Sequence, residues 1–74
     1  MSGPEVLTLT VGDRELNLTQ ALKRAGCVLS GGEAKTLIAE GRVRVNGEVE
    51  LRKRKQLAVG DVIEVEEGPT IRLV

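Results

Sequence analysis

The chain contains no phenylalanine, tyrosine, tryptophan or histidine. Without aromatic rings its core must be built from Val, Leu, Ile and Ala, and the usual stacking platforms for unpaired bases are missing. Without imidazole no Cys–His nucleophile exists, and no other catalytic constellation stands in its place. Cysteine occurs once, at Cys27, so no internal disulfide staples the fold. No apolar run approaches the roughly 18 residues of a membrane helix, and the N-terminus lacks the basic, apolar, small-residue order of a secretory signal. These absences lead us to expect a soluble cytoplasmic protein that is not an enzyme, with no membrane partner, small-molecule substrate, cofactor or metal. At 74 residues the expectation is one small domain, 1–74. A chain of this size buries only about 60% of the surface its unfolded form exposes, which leaves no room for a deep cleft.

An excess of either charge is also lacking, with eleven basic and eleven acidic residues. That neutrality hides a polarised chain. From Arg42 to Lys55 six basic residues (Arg42, Arg44, Arg52, Lys53, Arg54, Lys55) face two acids, Glu48 and Glu50. The remainder holds five basic and nine acidic residues. Local patches of this kind, rather than net charge, govern attraction to a polyanion.

Taken in order, Met1–Glu5 reads as a lead-in. Val6–Val11 alternates Leu7, Leu9 and Val11 against Val6, Thr8 and Thr10, the pattern of a half-buried strand. Gly12-Asp13 predicts a hairpin turn that returns Arg14–Leu16 antiparallel to it. Asn17 with Gln20 predicts a capping box, and Leu18, Ala21, Leu22 and Ala25 give a helix one apolar stripe before Gly26 stops it. Ser30 with Glu33 predicts a second capping box, with Ala34, Leu37 and Ile38 buried and Gly41 at the end. Arg42-Val43-Arg44-Val45 alternates, so both arginines share one face. Asn46-Gly47 is the strongest turn signal in the chain. A three-residue connection (Asn46, Gly47, Glu48) would pair Val45 with Val49 and Val43 with Leu51, turning all four inward and placing Glu50 opposite Arg44. Arg52–Lys55 is charged on both faces and must be an exposed turn or edge. Val62–Val65 and Ile71–Val74 read as two further strands.

Three places invite a functional reading. The basic cluster is either a solvated loop that protects a sheet edge or a phosphate-contact surface, to which Lys35 on the preceding helix would add. The Ser30-Gly31-Gly32 helix start exposes N–H groups beside a positive dipole end, which either serves ordinary capping or accepts a phosphate. Cys27 has no base to activate it and reads as a small buried filler.

The order Ser30-x-x-Glu33-Ala34-Lys35-x-Leu37-Ile38-x-x-Gly41-x-Val43-x-Val45-Asn46-Gly47, then Leu57-x-x-Gly60-Asp61-x-Ile63, resembles the RNA-binding domain named after ribosomal small-subunit protein four (the S-four domain, or alpha-L RNA-binding motif). Leu18-Thr19-x-x-Leu22-x-x-Ala25-Gly26 is similar to that family's first helix, and the likeness runs from about Asn17 to Val65. It is closest in character to the small free-standing bacterial members, in which the Arg52-Lys53-Arg54 run recurs. The resemblance implies an α+β fold, with two short helices (about 18–25 and 31–40) on a small, mostly antiparallel sheet. It further implies a non-catalytic module that binds structured RNA, rRNA or tRNA, with ribosomal particles among its expected partners. By position, Lys35, Arg42, Arg44, Arg52, Lys53, Arg54 and Lys55 would be its phosphate contacts, and Ser30 with the adjoining backbone would also meet RNA. Gly31 and Thr36 stand where many members carry arginine, and Asn17 where a basic residue is frequent, which shifts the expected contact toward the hairpin. A ubiquitin-like or protein–protein adaptor module is the alternative, since VNG followed by L-x-x-GD-x-I also occurs there. The Ile71-Arg72-Leu73-Val74 ending lacks the Gly-Gly that a sulfur carrier needs.

Overall fold

A computed structural model describes residues 5–74, so all of the expected Met1–Glu5 lead-in except Glu5 lies outside the described residues. The elements run β1 (Val6–Leu9), β2 (Leu16–Asn17), α1 (Leu18–Arg24), α2 (Gly31–Ala39), β3 (Val43–Val45), β4 (Glu48–Val49), β5 (Gln56–Leu57), β6 (Val62–Val65) and β7 (Thr70–Leu73). Five strands form one sheet in the order β1-β7-β6-β3-β4, and β2 pairs with β5 in a small second sheet. Every pairing is antiparallel except β1 with β7. The core is wholly aliphatic: Leu18, Ala21 and Leu22 of α1 and Ala34 and Ile38 of α2 share it with Val43, Ile63, Ile71 and Leu73 of the sheet. This is the expected fold of two helices on a mostly antiparallel sheet.

The helix limits fall close to those the caps imply. Asn17 and Gln20 form the reciprocal box, and Ala25 is the C-cap ahead of Gly26. In α2 only half of the predicted box forms. Ser30 Oγ accepts from Glu33 N at 3.3 Å, but the Glu33 carboxylate reaches one residue further back, to Leu29 N at 3.0 Å. Leu37 is half-buried rather than a full core member.

Two strand expectations are corrected. The Gly12-Asp13 turn does not close a hairpin, because β1 runs parallel to β7 with Leu7 beside Ile71 and Leu9 beside Leu73. That partner aligns apolar residue with apolar residue, whereas Arg14 and Glu15 are exposed and offer only charges. Leu16, fully buried, pairs with Leu57 instead.

The second correction concerns the β3–β4 turn. The connection has two residues, which sets Arg44 opposite Val49 and Val45 opposite Glu48. Asn46 and Gly47 have φ of 54° and 87°, the paired left-handed residues of a type I′ turn, which asparagine and glycine tolerate. Val49 and Leu51 are left 49% and 63% exposed as a result. What outweighs that apolar exposure is a network reaching across the sheet. Asn46 Oδ1 accepts from Val62 N at 2.9 Å, and Asn46 Nδ2 donates to Asp61 Oδ1 at 3.0 Å. Asp61 Oδ2 also accepts from Ala58 N at 2.9 Å. The VNG and GD pieces of the sequence pattern are therefore two halves of one structural joint.

Candidate nucleic-acid interface

Arg52–Lys55 is an exposed turn, as its two charged faces demand. It is nevertheless well anchored. Leu18 N donates to Lys55 O at 3.0 Å, and Thr19 N donates to Lys53 O at 3.1 Å. The first two N–H groups of α1 thus hold the main chain of the basic turn. Gln20 N donates to Asn17 Oδ1 and Asn17 N to Gln20 Oε1, so the whole first turn of α1 is satisfied within the protein.

The start of α2 is different. Ser30 Oγ takes the Glu33 N–H, while the Gly31 and Gly32 N–H groups meet no protein acceptor among the described residues. These two glycines open onto a shallow concavity of about 320 Å³, lined also by Lys23, Lys35, Lys53 and Arg54. Those four side chains are exposed, and none is ion-paired among the described residues. Four cations therefore surround an unclosed helix start whose dipole adds to their field.

The other sequence-predicted residues are placed elsewhere. Arg42 is half-buried and held by two carboxylates, Glu40 at 3.5 Å and Glu66 at 3.3 Å. Arg44 lies across from Glu64 on the sheet face opposite Val43 and Val45, and both arginines line a separate concavity with Glu64 and Glu66. Glu50 takes three N–H groups of Arg52: the main chain and Nε at 3.0 Å and Nη2 at 3.4 Å. Those bonds hold the Glu50 carboxyl below its usual range, and the nearby Lys55 charge acts in the same direction. Burial pushes the Cys27 thiol up, which keeps it protonated at neutral pH.

The fold thus gathers Lys35, Lys53 and Arg54 beside Ser30's helix and leaves Arg42, Arg44 and Arg52 facing carboxylates. Lys23 is an additional member that sequence reasoning did not assign to the surface. The available signal was its spacing: Thr19 and Lys23 are four apart, hence on one face of α1 and off the apolar stripe.

The S4 domain family, the one named above after ribosomal protein four, matches residues 9–74. A Bacillus subtilis protein named "Probable ribosome maturation protein RlbA" is 40% identical over 58 residues, 78% of this chain and 82% of that one. The tyrosine–tRNA ligase of Novosphingobium aromaticivorans is 46% identical over 46 residues, 62% of this chain but only 11% of the ligase. The solution structure of YbcJ from E. coli, described as revealing an alpha-L motif involved in RNA binding, superposes with a TM-score of 0.67 at 36% identity. That alignment covers 100% of this chain and 91% of YbcJ.

Proposed function

The chain belongs to the S4 domain family, and from that premise we propose that it is a non-catalytic module gripping the phosphate backbone of structured RNA. The observation that carries this reading is the group of four cations, Lys23, Lys35, Lys53 and Arg54, that have no ion-pair partner among the described residues and surround the open N–H groups of Gly31 and Gly32. Ammonium and guanidinium groups neutralise phosphates and release counterions, and a helix start adds oriented donors for a phosphate oxygen. With no ring to stack on bases, recognition rests on backbone geometry, so folded RNA is favoured over single strands. Lys55, next in the turn to Arg54, extends the surface on its margin, while Arg44 stands apart on the sheet face. Arg42 and Arg52 serve it less directly, since each must first leave a carboxylate.

The ribosome-maturation relative supports an rRNA target, and it is matched over most of its length. The tyrosine–tRNA ligase supports tRNA as the other candidate. Ribosomal particles and a cytoplasmic location belong to the same proposal.

The test is a binding series over salt with a structured rRNA fragment, single-stranded RNA and duplex DNA. The expected result is preference for the structured fragment and a log–log salt slope of about −3 to −4, roughly one unit per phosphate met by the four cations. Equal affinity for all three nucleic acids, or binding indifferent to salt, would overturn the proposal. A protein partner retained after ribonuclease treatment would favour the adaptor reading instead.

A further inference from the structure

A turn carrying four consecutive cations repels itself and ordinarily samples many conformations, yet this one is tied to α1 at two carbonyls. One of those ties is doubled. Lys53 O accepts from Thr19 N at 3.1 Å and also from Thr19 Oγ1 at 2.8 Å. The N–H alone satisfies both the helix start and the carbonyl, so capping does not account for the hydroxyl bond. The same side chain faces α2 as well: a Cβ placed on Gly31 would lie 4.0 Å from Thr19 Cγ2. Thr19 is thus rooted in α1, bonded to the basic turn and in reach of the open helix start. It stands where the three parts of the concavity meet.

We infer that Thr19 is a positioning residue, fixing Lys53 and Arg54 over the start of α2 and thereby setting RNA affinity without contributing charge. This rests on the phosphate-gripping reading above. A cationic side chain presented from a fixed main chain loses less freedom on binding than one on a loose loop, and affinity rises by the difference.

Thr19→Val keeps the branched shape and both N–H anchors and removes only the hydroxyl. Two measurements are made on the folded chain: affinity for a structured rRNA fragment across salt, and backbone ¹⁵N relaxation at Lys53 and Arg54. The expected result is an affinity loss of about threefold to tenfold with an unchanged salt slope, together with increased mobility at both residues. Thr19→Ser, which retains the hydroxyl, should bring both back toward the parent. Unchanged relaxation in Thr19→Val overturns the positioning role, whatever the RNA arm shows. A loosened turn with undiminished affinity, or a loss that appears as a shallower slope, overturns the link to RNA. Failure of the parent itself to bind RNA instead sinks the proposed function, and the relaxation arm still decides whether Thr19 holds the turn.

Discussion

The two helices begin alike in sequence and unlike in space. Each has a polar N-cap, Asn17 or Ser30, followed three residues later by Gln20 or Glu33. In α1 every N–H of the first turn finds an acceptor inside the protein, two of them on the basic turn itself. In α2 the Gly31 and Gly32 N–H groups find no acceptor among the described residues, and Lys23, Lys35, Lys53 and Arg54 stand around them. One helix start has been used to hold a loop. The other, by the proposal above, is kept for a ligand. The difference shows that a capping signature identifies where a helix begins without saying what its free donors are for.

Charge reversal should separate the two surfaces most sharply. Lys35→Glu with Arg54→Glu replaces two attractive contacts at the α2 concavity with repulsive ones. A charged hydrogen bond is worth about 1.5–3 kcal/mol, so the pair should weaken RNA binding on the order of a hundredfold or more. Arg42→Glu with Arg44→Glu changes the same net charge on the sheet face, where Glu64 and Glu66 already compete, and should cost only several-fold. The measurement is equilibrium binding at fixed salt, with thermal melts confirming that both variants fold. Equal losses from the two pairs would erase the distinction between the surfaces.

A subtler change addresses the α2 donors alone. Gly31 is the first helical residue after Ser30, the position where proline is favoured, and Ser30 has the extended φ of −151° and ψ of 165° that a following proline requires. Gly31→Pro therefore removes one open N–H while leaving the helix intact or slightly stabilised. RNA affinity should fall roughly tenfold, the value of one charge-assisted hydrogen bond. The same exchange at Leu18 in α1 would break the bond to Lys55 and empty a core position. If Gly31→Pro binds as tightly as the parent, the unmatched donor is not a contact and the contrast between the helix starts carries no functional meaning.

Sequence reasoning captured the features that act over a few residues. The caps at Asn17 and Ser30, the helix limits, the exposed basic turn and the alternation at Val43 and Val45 are all local, and the structure shows each of them. It failed where the deciding partner was distant. The hydrophobic pattern favoured a three-residue loop at Asn46, but the carboxamide bonds to Val62 and Asp61, from another strand and turn, held the two-residue turn. The partner of β1 proved to be β7, some 64 residues away, for which no turn signal exists. The candidate site follows the same rule. Lys35 and Arg54 were legible as charges, but their meeting with Lys23 depends on α1 packing on α2 and on the turn being anchored to α1. Counting cations along the chain also could not reveal that Arg42 and Arg52 are occupied by carboxylates.

The smallest effect concerns the bond at the other end of the anchored turn. Glu50 accepts three N–H groups of Arg52, and its folded carboxyl is held below the ordinary value of 4.5. A group depressed in this way contributes stability above its unfolded pKa and loses it as pH falls through the folded value. Urea unfolding of the parent and of Glu50→Gln, followed from pH 7 down to about pH 3, isolates that contribution. The parent should be the more stable at neutral pH, by a small margin, since Arg52 reaches the carboxylate from the solvent side and water screens the pair. The margin should close as the pH drops below 4.5 and the parent's Glu50 takes up its proton. A margin that stays constant over this range would mean that the carboxylate's charge does not hold the turn. The two carbonyl anchors on α1, which do not titrate, would then be sufficient to keep Lys53 and Arg54 in place.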